Sequence, residues 1–234
     1  MEKFQPFDNA LLNGAGLNRQ AVFNIDELPA DMAATVRAAC AGGRDYRQLI
    51  LIGHAGRQFW RSLKAAGVDS EHPIDDFSRQ SVQRWFAACQ ARNSYEILYP
   101  GPHLIGLQQL GQLAGWHHAT PFMLGIDHEW GSWYAYRALV VADTGFAPTP
   151  PLASAPPCAS CAHKVCIGSC PAAALDSGQL DLGKCVAYRK QDDSLCKATC
   201  LARLSCPVGS VHRYDDEQIR HSYTHSMRYI ERCL

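Results

Sequence analysis

The stretch CASCAHKVCIGSCP, Cys158 to Pro171, packs four cysteines into fourteen positions and closes on Cys-Pro. A second set follows at Cys185, Cys196, Cys200 and Cys206, and its last member again precedes a proline, Pro207. Only Cys40 and Cys89 fall in the first 157 residues, whereas nine of the eleven cysteines fall in the last 77. Thiolates are ligands for soft metals, and clustering of this kind points to metal ligation rather than to scattered core thiols. Cys40, Cys89 and Cys233 stand apart from both sets and read as ordinary buried or terminal thiols.

The first set is spaced C-x2-C-x4-C-x3-C-P. A bacterial ferredoxin run is C-x2-C-x2-C-x3-C-P, and its fourth cysteine ligates the other cluster of a pair. Only the middle gap differs, by two residues. The exchange of fourth ligands assigns Cys158, Cys161, Cys166 and Cys206 to one [4Fe–4S] cluster. It assigns Cys170, Cys185, Cys196 and Cys200 to the other. Structural zinc also favours C-x2-C pairs and remains an alternative. Disulfides are a lesser one, because they belong to oxidising compartments. His163 and Lys164 occupy the enlarged gap, where they read as an exposed bulge.

The 234 residues are 47% hydrophobic and 19% charged, enough to build a real core. Lys plus Arg balances Asp plus Glu, 22 each, which makes no electrostatic case for a nucleic-acid partner. MEKFQPFDNALLNGAG (1–16) has neither the basic start nor the apolar run of a signal peptide, and no stretch approaches the ~20 apolar residues of a membrane span. The expected setting is the cytoplasm, without a membrane.

The proline-rich FAPTPPLASAPPC (146–158) reads as an extended connector. Before it, RQLILIGH (47–54), SYEILYP (94–100) and WYAYRALVVAD (133–143) read as buried strands. Between them, residues 29–43, 56–68, 75–92 and 103–117 carry apolar groups at helical spacing. This alternation predicts an α/β core over 1–150, with a mixed sheet flanked by helices. A small ferredoxin-like module is expected over 151–212. A closing helix over 213–234 is expected to pack back on the core.

The stretch HEWGSWYAYRALVVADTG (128–145) resembles both the B12-processing protein that decyanates and dealkylates cobalamins and epoxyqueuosine reductase. The likeness runs back through residues 72–115 and reappears in HRYDDEQIRHSYTHSMRYI (212–230), and the cysteine order is similar to that of epoxyqueuosine reductase. The reductive dehalogenases belong to the same group. The resemblance implies a nitroreductase-like core that binds cobalamin, with two [4Fe–4S] clusters delivering single electrons to it. It implies Gly131, Ser132 and Trp133 as cofactor contacts. In ILYPGPHLIGL (97–107) Tyr99 stands nearest the position of that reductase's acid, which makes it the candidate proton donor, as a tyrosine is in the dehalogenases. Expected partners are a corrinoid or small-molecule substrate and an electron donor such as flavodoxin or a ferredoxin reductase. A flavin-dependent reductase and a plain ferredoxin-type carrier are the alternatives. His54, His103, His117 and His118 are further pocket or capping candidates.

Overall fold

The computed structural model describes residues 4–233. The chain forms two compact units. The first takes the chain up to Ala114 and Tyr134–Leu152, and the second takes Gly115–Trp133 and the chain from Ala153 onward.

The first unit is built on four strands: β1 (Arg19–Asn24), β2 (Gln48–Ala55), β3 (Tyr95–Tyr99) and β4 (Tyr134–Ala142), in the order β1-β2-β4-β3. β2, QLILIGHA, is central and buried along its whole length, as a continuous apolar run requires when both faces are covered. Ile50 and Ile52 enter a cluster with Phe59, Trp85, Phe86 and Val140. Leu49 and Leu51, which point to the opposite face, are equally shut off from solvent. All three strand pairings are antiparallel, where a mixed sheet was expected. Apolar runs locate strands but carry no information on their direction. β1 itself, RQAVFN, is absent from the sequence reading because polar residues at its ends break the apolar run.

Five helices complete this unit: α1 (Ala10–Gly14), α2 (Ala30–Ala39), α3 (Gln58–Ala65), α4 (Pro73–Cys89) and α5 (Leu107–Leu113). α4 begins with proline in its first turn, where the missing N–H costs nothing. Asp75 and Asp76 follow, placed to complement the helix dipole. Its buried face carries Phe77, Val82, Trp85 and Phe86. α5 is shorter than the expected 103–117, and leaves His103 exposed ahead of it.

The second unit has α6 (Val165–Gly168), α7 (Leu182–Lys190), α8 (Leu201–Ser205) and α9 (Asp216–Cys233). Residues 115–133, expected with the first region, cluster with this unit and form small bridges at His118–Ile126 and Asp127–Gly131. α9 is also part of it, tied to α7 through Arg189. Two small apolar clusters hold the unit together: Phe122, Leu175 and Ala202 beside Cys166, and Trp133, Tyr214 and Ile219. Among the described residues no helix is long and apolar enough to cross a membrane.

Candidate functional site

Within the second unit the eight clustered cysteines line two cavities. One, of about 290 Å³, is lined by Cys158, Cys161, Cys166 and Cys206. The other, of about 190 Å³, is lined by Cys170, Cys185, Cys196 and Cys200. These are the same two sets of four that the spacing pairs. Each cavity far exceeds the ~30 Å³ that one water occupies in the liquid.

Local backbone chemistry explains the arrangement. Lys164 adopts a left-handed conformation, φ 40°, and turns the chain into α6 so that Cys166 faces inward. His163 and Lys164 themselves are exposed. Cys206 ends α8, and Pro207 prevents the helix from continuing. Backbone N–H groups of Ile167, Val208 and Arg203 donate to the sulfurs of Cys166, Cys206 and Cys200. Burial pushes the Cys158, Cys166, Cys185, Cys200 and Cys206 thiols up, and neighbouring thiols of the same set push all five further. Cys206 is raised by Cys161, and Cys185 by Cys200 and Cys170. Both effects favour the neutral thiol at these five positions.

All eleven cysteines are free thiols. Among the described residues, no three His, Cys, Asp or Glu side chains are disposed to hold a single metal ion. The four cysteines of each set share the wall of one cavity. The Thr199 hydroxyl supplies a further sign. It lines the second cavity, is buried, and has no hydrogen-bond partner in the protein. A buried hydroxyl left so calls for an acceptor inside the cavity. Burial pushes the Tyr223 hydroxyl up to about 12, and this group hydrogen-bonds with Arg203 and Cys200.

Gly131, Ser132 and Trp133 each have protein neighbours in this unit. Gly131 has φ 58°, and a Cβ there would lie 2.0 Å from the Val208 carbonyl oxygen. Arg203 donates to the Ser132 carbonyl at 2.6 Å and stacks on Trp133, which is fully buried.

Tyr99 lies in the first unit, at the end of β3. Two bulges shape this end of the sheet: β3 skips Leu98 in its pairing with β4, and β4 skips Arg137 in its pairing with β2. Bulges re-aim side chains. The freed Arg137 donates from Nε to Nδ1 of the fully buried His54 at 2.8 Å, and His54 stacks on Phe59. His54 is thereby an acceptor at Nδ1, and a packed member of the core. Burial raises Tyr99, with Arg137 opposing, so its hydroxyl keeps its proton. His118 pairs with Ser154 at 3.0 Å, and burial followed by His118 lowers His117. Sequence reading singles out Arg137 as a strand arginine in need of an anionic partner, where the structure gives it the neutral His54 Nδ1; it missed Arg189 and Arg203, since an arginine carries no signature of burial until its partners are known.

This fold is shared with solved epoxyqueuosine reductases and a reductive dehalogenase. Among solved structures, an epoxyqueuosine reductase in complex with an epoxyqueuosine-modified tRNA stem loop superposes with a TM-score of 0.55 at 13% identity, covering 90% of this chain and 67% of that one. Epoxyqueuosine reductase from Bacillus subtilis, with its catalytic loop swung out of the active site, gives 0.53 at 13% identity over 89% of this chain and 66% of that one. A catabolic reductive dehalogenase gives 0.51 at 13% identity over 92% of this chain and 33% of that one. The chain thus spans about two thirds of the reductases' length and about a third of the dehalogenase's. No protein-family model and no curated protein matches the sequence. Because one protein of this fold was solved on a tRNA stem loop, a balanced net charge does not by itself exclude RNA.

Proposed function

We propose that this chain is an iron–sulfur oxidoreductase in which each cysteine quartet holds a [4Fe–4S] cluster and a protein-bound corrinoid receives the electrons. The observation that carries the reading is the sorting of eight cysteines into two separate cavities, four to each. The bound clusters supply one-electron transfer, which no side chain offers, and the corrinoid supplies the reducing centre. The protein's own part is to hold the thiolates, to hydrogen-bond their sulfurs from backbone N–H groups, and to keep them from bulk water. Tyr99 holds a proton at its hydroxyl for delivery to a reduced substrate, with Arg137 beside it to stabilise the phenolate left behind. Gly131, Ser132 and Trp133, whose neighbours are protein groups, carry no step in this reading. The electron donor is a small redox protein such as a flavodoxin or a ferredoxin reductase.

Anaerobic reconstitution tests the metal half. About eight iron and eight sulfide per chain support two cubanes. About four of each, or zinc without sulfide, sinks it. Titration with cob(II)alamin followed by electron paramagnetic resonance tests the other half. Saturable conversion to a base-off spectrum supports corrinoid binding. An unchanged free-cobalamin spectrum with intact clusters points to a plain carrier, or, where a flavin band accompanies the protein, to a flavin reductase.

A further inference from the structure

The two cavities differ in their charged surroundings. Arg189, on the last turn of α7, lines the second cavity with its four cysteines and is only 7% exposed. Its Nε donates to the Cys196 carbonyl at 3.1 Å, and Nη1 donates to the Ser226 hydroxyl at 3.1 Å. Nη2 donates to the carbonyls of Tyr223 and Lys197, at 3.0 and 3.3 Å. All four acceptors are neutral. A guanidinium stays charged at any physiological pH, and burying it among neutral groups is expensive unless an anion lies close. Arg203 adds a second buried cation, 8% exposed, joined through the Tyr223 hydroxyl to Cys200. The first cavity has Lys164 in its wall instead, an exposed ammonium that water and salt screen.

A cubane with four thiolates is an anion, and reduction adds one more negative charge. A buried cation therefore favours the reduced form, and solvent exposure weakens that effect. Resting on the iron–sulfur reading above, we propose that Arg189, assisted by Arg203, makes the cluster of Cys170, Cys185, Cys196 and Cys200 the higher-potential member of the pair. An electron entering the protein then comes to rest there. The exchange balances: the first cluster gives up one electron, the second gains it, and no bond or proton changes place.

The test is a redox titration of the reconstituted full chain, read by electron paramagnetic resonance, after iron and sulfide have been measured. The wild type should show two one-electron steps whose oxidised-to-reduced ratios differ at least tenfold at any potential, ~59 mV. Cys185→Ala should keep only the lower step. Arg189→Gln should move the upper step down by about tenfold, ~59 mV, and leave the lower one in place. Arg189→Lys, which restores charge, should recover most of the shift. Coincident steps in the wild type overturn the proposal. So does survival of the upper step in Cys185→Ala, or an Arg189→Gln variant in which neither step or both steps move. If one variant loses both clusters, the other variant and the wild type decide. Wild-type protein that takes up no iron and sulfide overturns the underlying reading itself, and shows this before any potential is measured.

Discussion

At Gly131 the backbone sits in the left-handed region, and the Val208 carbonyl and the Gly209 α-carbon lie where a side chain would begin. Gly131→Ala should cost at least about 2 kcal/mol, from backbone strain and overpacking together, read as a lower midpoint in chemical denaturation. His117 sets a second expectation at this scale. Burial and His118 lower its affinity for a proton below that of the unfolded chain, whose imidazole titrates near ~6.5. The unfolded state thus binds more protons as the pH drops, so stability falls below about pH 6.5 and recovers as pH rises. His117→Gln should flatten that slope in melting temperature. The grouping of the cysteines was legible, since the four that line each cavity are the four that their spacing pairs. Arg189 was not, because the sequence shows an ordinary basic residue at a helix end, and its partners come from residues 196–197 and 223–226.

At the scale of elements, apolar runs told where strands lie but not which way they run. Residues 47–54, 94–100 and 133–143 were each expected as strands, and the structure has β2, β3 and β4 within a residue or two of those bounds. β1 was hidden by its own polarity, since Arg19, Gln20 and Asn24 break the apolar run that marks a strand in sequence. The bulges were also hidden, because an extra residue in one strand is a property of pairing. Central β2 makes the sharpest energetic expectation. Leu51 is fully buried, so Leu51→Ala should cost about 2–5 kcal/mol, with a fall in denaturation midpoint as the measure. A substitution of comparable size at exposed Leu104 should change stability by less than about 0.5 kcal/mol.

For the whole molecule, the sequence placed a boundary at the proline-rich connector, and the chain changes unit three times, after Ala114, after Trp133 and after Leu152. Residues 115–133 leave the first unit for the second before the chain returns through β4. No composition shift marks that excursion, and its small clusters with Phe122 and Trp133 exist only once distant residues such as Ala202 and Tyr214 arrive. The cysteine sorting makes a prediction at this scale. Cys161→Ser and Cys196→Ser should each remove the iron of one cluster only, and the double substitution should remove both, as counted by iron and sulfide analysis.

The order in which the quartets draw on the chain has its own consequence. The set with Cys158 closes through Cys206, and the set with Cys170 closes through Cys200, so one ring of chain lies wholly inside the other. The set with Cys158 cannot be completed by a contiguous fragment that omits the inner set, whereas residues 170–200 alone hold every member of the inner one. A single cleavage between Cys170 and Cys185 would open both rings at once. Filling the outer cavity therefore threads the segment that carries the inner one, but not the reverse, so the inner quartet can be filled before the chain beyond Cys200 is in place.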